Sequence, residues 1–290
     1  MKGKFFSFID SHVHLGIDQV RIKKKLQPQT QYPDDYIKKV KDAYKKLGII
    51  IENAIVFPFP GSYNGYINEN EYIYRICKDN SFFRQFLIID PSRKSFLELL
   101  KKYNSVDGYK IHIASWLSLI YSEKPPSENR KIISEGIEKI MENITERPLL
   151  IHPWYQDRIE GKTPIVDIVL NVREKLENKN PIIFAHCAML NNLERIKEEK
   201  DVYIDLSASA FLIQQGPRIY RNFKSPSNLL KFCIEKIGVG KCIWGTDSPF
   251  NIGYDTKGYI KEIEYLFKSD LSEADIAYIA KNNIRRLLNG

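Results

Sequence analysis

The sequence predicts a single (β/α)₈ barrel that spans residues 1–290. Eight short runs rich in Ile, Val, Phe and Leu recur along the chain, and most are apolar without clean alternation, which is typical of strands buried on both faces of a parallel sheet. Amphipathic helical patterns separate these runs, and no Pro/Gly/Ser-rich linker divides the chain. With 43% hydrophobic residues, the chain can fill one large core.

The strands and helices alternate in order. The predicted strands lie near 5–10, 53–57, 86–90, 108–113, 149–152, 181–186, 202–206 and 241–245. The predicted helices cover 35–47, 68–79, 92–103, 130–145, 164–178, 190–199, 227–237 and 257–268. Gly48 provides a stop for the first helix, and Pro164 suits the first turn of the helix that it precedes. A doubly wound open sheet is the rival, but it usually has fewer strands, and the sequence contains neither GxGxxG nor GxxxxGK[ST].

Three connections are longer than a plain barrel needs, and they follow the first, second and seventh strands. They cover residues 15–34, 58–68 and 207–226. Because barrel active sites are built from the loops after the strands, these connections are expected to grip a substrate. The last one carries side chains that could hold a ring and a carboxylate or could pack the loop against the barrel: Phe211, Arg218, Tyr220 and Arg221.

The net charge of +8 and the pI of about 9.1 are compatible with an anionic substrate, nucleic acid or a membrane surface. Lysines scattered over helical segments account for most of this charge, and the one dense basic run is Arg21 to Lys25, so a solvated surface is the preferred interpretation.

The sequence contains no run of about 18 apolar residues, so no membrane-spanning helix is predicted. The N-terminal segment is interpreted as a first strand and not as a signal peptide. Four cysteines without a CxxC pair favour buried thiols and a cytoplasmic location.

All five histidines and one aspartate stand at or just past the ends of predicted strands. They are His12, His14, His112, His152, His186 and Asp247. Because strand residues two apart face the same way, His12 and His14 can approach one ion, with Asp10 expected on the same side. A lone strand-end histidine is more often a core residue bonded to a backbone carbonyl, and an aspartate after a strand is often a helix cap. Collected at one end of a barrel, the six residues instead predict a metal site.

The sequence resembles the amidohydrolase superfamily, and within it the branch called amidohydrolase family 2, which also contains decarboxylases. The matching segments run in order along the chain: FIDSHVHLG, NENEYIYRICKDNSFFRQFLIIDP, GYKIHI, LLIHP, IIFAHCAM, VYIDLSA, IWGTDSPF and AKNNIRRLL. Each segment alone is a weak signal, but eight in order are hard to reach by chance. The resemblance implies a metal-dependent barrel hydrolase that acts on a small amide, lactone or ester through a metal-activated water.

The resemblance also implies roles for particular residues. His12, His14 and His152 would bind one divalent metal ion, with Asp247 as a further ligand or as the general base beside it. Zinc is favoured, and manganese and iron are the alternatives. His186 would hydrogen-bond the water or the substrate oxygen and stabilise developing charge.

Several candidate residues have open roles. Lys110 could be a carboxylated lysine that bridges two metals, as in some members of the superfamily, or a plain buried or substrate-facing lysine. His112, Trp154 and Arg218 are candidate substrate contacts, although core packing explains Trp154 equally well. Two aspartates, Asp10 and Asp205, could orient the ligand histidines or cap loops.

Three other functions compete with hydrolysis. A non-oxidative decarboxylase of an aromatic or unsaturated carboxylic acid would need the same ligands, with Arg218 and Arg221 as candidate partners of the carboxylate. A TatD-type metal-dependent nuclease would place a glutamate after a middle strand, where this chain has GYKIHI, so nucleic acid is a disfavoured partner. A barrel that has lost its chemistry would lack ligands, and none of the expected ones is missing. The expected partner is therefore a small-molecule substrate, and no membrane partner is expected. The oligomeric state is left open, with a homodimer as one possibility.

Overall fold

The computed structural model describes residues 6–27, 29–61, 65–113, 126–153, 165–190, 192–216, 218–250 and 256–289. Nine strands form one sheet: β1 (Phe6–Ile17), β2 (Thr30–Gln31), β3 (Ile49–Pro58), β4 (Phe83–Ile88), β5 (Gly108–His112), β6 (Leu149–His152), β7 (Ile182–Phe184), β8 (Val202–Asp205) and β9 (Cys242–Ile243). All eight predicted strands are present, and β2 is an addition that the sequence did not predict.

The sheet is curled and almost entirely parallel. Its strand order is β2-β1-β3-β4-β5-β6-β7-β8-β9, and only β2 runs antiparallel, against the end of β1. Beyond β9 the chain lies beside β1, where the His14 N–H donates to the Ser248 carbonyl at 2.7 Å and the Asp247 N–H donates to the His12 carbonyl at 2.9 Å. These bonds join the segment after β9 to β1, and the carboxyl ends of the parallel strands lie at the same edge of the curled sheet.

Twelve α-helices are described, and each of the eight predicted helices corresponds to one of them. They are α1 (Gln19–Lys23), α2 (Pro33–Tyr44), α3 (Ile67–Asp79), α4 (Phe96–Lys102), α5 (Pro126–Asn143), α6 (Ile165–Lys175), α7 (Leu193–Glu198), α8 (Ser209–Gln215), α9 (Pro226–Ile237), α10 (Thr256–Phe267), α11 (Glu273–Ala277) and α12 (Asn283–Asn289). After α2, a 3₁₀ turn over Lys45–Leu47 ends at Gly48, the predicted stop, which has a left-handed conformation with φ 68°. Pro164, the other predicted boundary residue, lies outside the described residues. None of the helices described combines length with enough apolar character to cross a bilayer.

Two of the long connections are more structured than the sequence predicted. Residues 15–34 contain the end of β1, helix α1 and strand β2, and residues 207–226 contain α8 and a 3₁₀ turn over Arg218–Asn222. These elements were not predicted from the sequence, and they pair backbone groups that would otherwise be left without partners where the connections pack against the sheet. The pairing of Gly16 with Gln31 is one such contact. The basic run Arg21 to Lys25 overlaps α1 and the turn after it, and its lysines are exposed.

The core has two layers. The larger cluster lies between the sheet and the helices and includes Phe8, Val13 and Trp244. The smaller cluster fills the concave side of the sheet and includes Ile9 and Ile55, with Ile284 and Leu287 of α12 among its members. The four cysteines are free thiols, and three of them are buried, in agreement with the expected reduced state of the side chains: Cys187, Cys233 and Cys242.

A buried carboxyl group ties α10 to the segment that begins α8. Glu262 of α10 accepts a hydrogen bond from the Ala210 N–H at 3.4 Å through Oε2, and its own carbonyl accepts one from Trp244 Nε1 at 2.7 Å. Burial raises the pKa of Glu262 to about 8. The folded chain therefore holds this proton at neutral pH, whereas the unfolded chain, with an ordinary pKa of 4.5, loses it.

We expect Glu262→Gln to stabilise the protein by a margin that grows as the pH rises from 5 to 8. Over this range the folded wild type keeps a proton that its unfolded state releases, so this group lowers wild-type stability by up to about 1.4 kcal/mol per pH unit. Glutamine carries no such proton and can still accept the bond from Ala210. Urea unfolding at several pH values measures the difference, with Glu264→Gln as the control, because Glu264 lies on the same helix and pairs with Lys268 at the surface. A difference from wild type that stays constant across this pH range would contradict the buried proton.

Candidate active site

A cavity of about 210 Å³ opens where the carboxyl ends of the strands meet. Its polar wall consists of His14, His112, His152, His186 and Asp247. The opposite wall is apolar and consists of Pro60, Ala208, Phe211, Leu212 and Phe250. A larger cavity of about 420 Å³ is lined by parts of residues 15–72 but by no histidine, so the cavity-lining histidines belong to the smaller one.

The side chains of β1 do not alternate regularly. The register between β1 and β3 shifts between Asp10 and Val13, which is a bulge, so Ile9 and His12 both face the concave side. Asp10 instead accepts hydrogen bonds from Tyr36 of α2 at 2.8 Å and from Thr246 at 2.7 Å. The expectation that Asp10 lies on the side of His12 and His14 was therefore wrong, because the bulge breaks the alternation on which it was based.

Asp10 is fully buried and fastens β1 to the segment after β9. Its Oδ1 also accepts the Thr246 N–H at 2.9 Å, and burial raises its pKa to about 7. Ser248, two residues on, donates to Gln31 of β2 at 2.7 Å, and Gln31 donates to the His14 carbonyl at 2.8 Å. These bonds fix the backbone on both sides of Asp247.

Each of three histidines makes a hydrogen bond through Nδ1 behind the cavity. His14 Nδ1 lies 3.0 Å from the Pro58 carbonyl oxygen, and His186 Nδ1 lies 3.3 Å from the Ser207 carbonyl oxygen. A carbonyl oxygen can only accept, so both Nδ1 atoms carry the proton. His12 Nδ1 lies 2.5 Å from Asp205 Oδ2, and the other carboxylate oxygen of Asp205 accepts the Ser207 N–H at 2.5 Å. The Nε2 atom of each imidazole is thereby left with its lone pair.

The lone pairs converge on a carboxylate. The Nε2 atoms of His12 and His14 each lie 3.3 Å from Asp247 Oδ1. Ligand atoms of His12, His186 and Asp247 all lie within 4.8 Å of one another. Nitrogen lone pairs repel a carboxylate oxygen when no proton is shared between them. A divalent cation placed between these atoms removes the repulsion. The donor set therefore fits a metal ion.

Burial favours the uncharged imidazoles of His12 and His14. Burial, together with the charge of Lys110, holds the pKa of His12 well below its usual range and lowers the pKa of His14 to about 3. Lys110 is itself fully buried, with Nζ 3.3 Å from His12 Nε2 and 4.7 Å from the centre of the Phe57 ring. Burial lowers its pKa to about 7. Metal ions compete with protons for imidazole nitrogen, so neutral histidines are the state that can coordinate.

His112 and His152 form a second pair on the cavity wall. They occupy paired positions of β5 and β6, and their rings stack with centroids 4.1 Å apart. The centroid of the His152 ring lies 4.8 Å from that of His186. Burial holds the pKa of both members of the stacked pair well below the usual range. Both positions line the cavity, where His152 is a predicted metal ligand and His112 a predicted substrate contact.

The structure brings most of the predicted residues together. His12, His14, His112, His152, His186, Lys110, Asp205 and Asp247 all gather at or directly beneath the cavity. Arg218 is exposed and does not line the cavity, and Trp154 lies outside the described residues. The predicted ligand set of His12, His14, His152 and Asp247 remains a prediction, since the three residues whose ligand atoms all lie within 4.8 Å of one another are His12, His186 and Asp247.

Ser207 is a site residue that sequence reasoning missed. Its Oγ lies 3.2 Å from Nδ1 of both His12 and His186, so one side chain connects two of the histidines. Ser207 follows the strand-end aspartate Asp205 by two residues, and this position was the only available signal.

The segment that carries His186 has an unusual backbone. After β7, five consecutive non-glycine residues have φ between 53° and 57°. They are His186, Cys187, Ala188, Met189 and Leu190. A left-handed turn costs L-residues about 1–2 kcal/mol each, so tertiary contacts must hold this segment in place. The predicted helix 190–199 begins only at Leu193, because Leu190 and Asn192 have left-handed backbone conformations.

Comparison with known proteins identifies one family and several solved structures of similar fold. The model of the amidohydrolase family matches residues 9–290. Among solved structures, the chain resembles 2,6-dihydroxybenzoate decarboxylase from Rhizobium, with a TM-score of 0.64, 16% identity and coverage of 98% of this chain and 99% of that one. It also resembles a candidate 2-pyrone-4,6-dicarboxylic acid hydrolase from Pseudomonas putida, with a TM-score of 0.61, 15% identity and coverage of 99% and 98%.

A third similar structure, an amidohydrolase from Burkholderia multivorans with bound zinc, has a TM-score of 0.62 at 10% identity, with coverage of 97% of this chain and 99% of that one. At these identities the structural likeness concerns the fold alone. None of the curated protein sequences compared with the chain gives a significant match.

We expect Asp205→Asn to weaken zinc or manganese binding by about 10- to 100-fold, because the charged acceptor that orients His12 is lost. Asp201→Asn is the matched control. Asp201 lies just before β8 and has φ 56°, a left-handed conformation that asparagine also tolerates. Titration of metal against a competing chelator measures both affinities. Equal affinities of Asp205→Asn and wild type would show that the contact does not orient a ligand.

Proposed function

The chain belongs to the amidohydrolase family, and from this premise we propose that it is a metal-dependent hydrolase of a small amide, lactone or ester. The observation that carries the proposal is the position of Asp247, whose Oδ1 lies 3.3 Å from Nε2 of both His12 and His14. This arrangement places a carboxylate beside the Nε2 lone pairs of His12 and His14.

We also propose that the fold is a complete (β/α)₈ barrel. The contacts between β1 and the segment after β9, including the parallel bridge of Val13 with Ser248, support this proposal.

The residues that would hold the metal are His12 and His14, with Asp247 and one or both of His152 and His186. When bound, a divalent cation lowers the pKa of a water molecule from about 15.7 toward about 7. Zinc suits the nitrogen and oxygen donors of this set, and manganese and iron are the alternatives.

Asp247 is the proposed proton carrier. Its carboxylate would accept the proton of the attacking water and deliver it to the leaving group, a role that needs an ionised oxygen at the mouth of the cavity. The proposed role of His186 differs from the sequence-based expectation. With its Nδ1 proton held by the Ser207 carbonyl, His186 presents an acceptor at Nε2, so we assign it to binding the cation or accepting a hydrogen bond from water. Stabilising a developing negative charge would require a donor there.

The substrate is proposed to be small. The cavity of about 210 Å³ accommodates a single-ring molecule, and Phe211 and Phe250 on its apolar wall would contact such a ring. A nucleic-acid strand does not fit this volume, so the nuclease alternative gains no support. The expected cytoplasmic location and the homodimer remain expectations.

Decarboxylation of an aromatic carboxylic acid is the second candidate. The aromatic wall and the fully buried amine of Lys110, beneath His12, favour it, because a protonated Lys110 would give a carboxylate beside the metal a positive environment. Arg218 and Arg221 are exposed, so they support this candidate less than the sequence suggested.

We expect one divalent ion per purified chain and less than a tenth of that in the His12→Ala/His14→Ala variant, because two imidazole ligands are then missing. His112→Ala is the matched control, since it removes a histidine of the same cavity outside the expected ligand set. Metal analysis by mass spectrometry on untagged protein gives the stoichiometry. No metal in wild type, even after incubation with zinc and manganese, would rule out the proposed mechanism, and two ions per chain would favour a bridging role of Lys110.

We expect the loaded enzyme to hydrolyse a member of a panel of lactones and amides and Asp247→Asn to lower kcat by about 10²- to 10⁴-fold, because the proton carrier is removed. The assay is run in ¹⁸O-labelled water, since hydrolysis incorporates solvent oxygen into the product acid. Release of CO₂ from aromatic carboxylic acids without such incorporation would replace hydrolysis with the decarboxylase candidate. The Asp201→Asn variant controls for the loss of a charge elsewhere.

A further inference from the structure

The left-handed turn that carries His186 is held by a tyrosine from another part of the chain. Tyr220 lies in the 3₁₀ turn over Arg218–Asn222, between α8 and α9, and its side chain is fully buried. Its hydroxyl donates to the His186 carbonyl oxygen at 2.6 Å and lies 3.5 Å from Met189 Sδ. The hydroxyl therefore contacts both the first and the fourth residue of the turn.

The imidazole of His186 is fixed from the same connection. Ser207, at the start of the segment that leads from β8 to Tyr220, accepts the Nδ1 proton with its carbonyl oxygen at 3.3 Å, and its Oγ lies 3.2 Å from Nδ1. Two residues of the connection after β8 therefore hold His186: Tyr220 binds its backbone carbonyl, and Ser207 binds its imidazole ring. Without the hydroxyl, the His186 carbonyl would lose this buried partner, and the turn could relax toward a right-handed conformation.

We propose that Tyr220 is a positioning residue that sets the direction in which His186 presents Nε2 to the cavity. The proposal rests on the proposed function in one respect, which is that His186 faces the metal ion or its water. Tyr220 does not line the cavity, so it acts through His186 and has no direct contact with a substrate there. Burial also holds the pKa of the Tyr220 hydroxyl well above its usual range, so the hydroxyl keeps its proton and can donate at neutral pH.

The test compares Tyr220→Phe with Tyr103→Phe. Both variants delete the hydroxyl of a buried tyrosine that donates at 2.6 Å, but Tyr103 donates to Glu71 of α3, in a partly buried bond away from the histidines. The phenylalanine ring keeps the packing of each site, and urea unfolding shows how much stability each variant loses. A role in stability alone would give two variants with the same metal affinity.

The first measurement is zinc and manganese affinity by competition with a chelator. We expect Tyr220→Phe to bind about 10- to 100-fold more weakly than wild type, as for other residues that orient a ligand, and Tyr103→Phe to bind like wild type. Equal affinities of Tyr220→Phe and wild type would overturn the proposal.

The second measurement does not depend on metal. The chain has five histidines, so selective ¹⁵N-histidine labelling gives few resonances, and their ring-nitrogen shifts report the tautomers. We expect His186 in metal-free wild type and Tyr103→Phe to be a single Nδ1–H tautomer, and Tyr220→Phe to show a mixture or a shifted resonance. An unchanged His186 resonance in Tyr220→Phe would overturn the positioning role. If wild type binds no metal, the proposed function fails, and this spectrum still decides the role of Tyr220.

Discussion

The hydrogen bonds that histidine Nδ1 atoms make behind the cavity are the constraint on which the site depends. Asp205 and Pro58, the acceptors for His12 and His14, stand at the ends of β8 and β3. These acceptors are available only because the parallel sheet brings the ends of separate strands together at one mouth. The fold therefore decides the tautomers, and the tautomers decide that Nε2 lone pairs face Asp247. A cation at this position would satisfy charges that the fold itself has brought together.

Much of the architecture could be predicted because buried parallel strands are continuous apolar runs, and these can be recognised without knowing any contact. The position of the site could be predicted for a related reason. Residues that follow such runs must meet at one end of the sheet, so His152 of β6 and Asp247 after β9 could be placed together although they lie 95 positions apart in the sequence. Topology supplied that proximity without any information on side-chain contacts.

The details that failed are local backbone conformations that tertiary contacts impose. The bulge in β1 turns Asp10 away from His12 and toward Tyr36, and no sequence pattern marks the register shift that produces it. The left-handed turn after β7 contains no glycine, so the usual signal for that conformation is missing. Ser207 was missed because a serine after a strand is common, and only the approach of His12 and His186 to its hydroxyl gives it a role.

The charges of the site bear on the choice between hydrolysis and decarboxylation. Burial holds the pKa of four of the imidazoles, those of His12, His14, His112 and His152, below the usual range. The other ionisable groups beside His12 are Asp205, Asp247 and Lys110. A divalent cation offsets the two carboxylates, and the net charge of the loaded site then depends on Lys110. With a neutral lysine, the site has no net attraction for an anion and suits a neutral lactone or amide. With a protonated lysine, the site is positive and attracts a carboxylate. Under the proposed function, the charge of this one buried side chain, 3.3 Å from His12, bears on which substrate the site would attract. Substrate charge is therefore the property by which the two candidate functions separate.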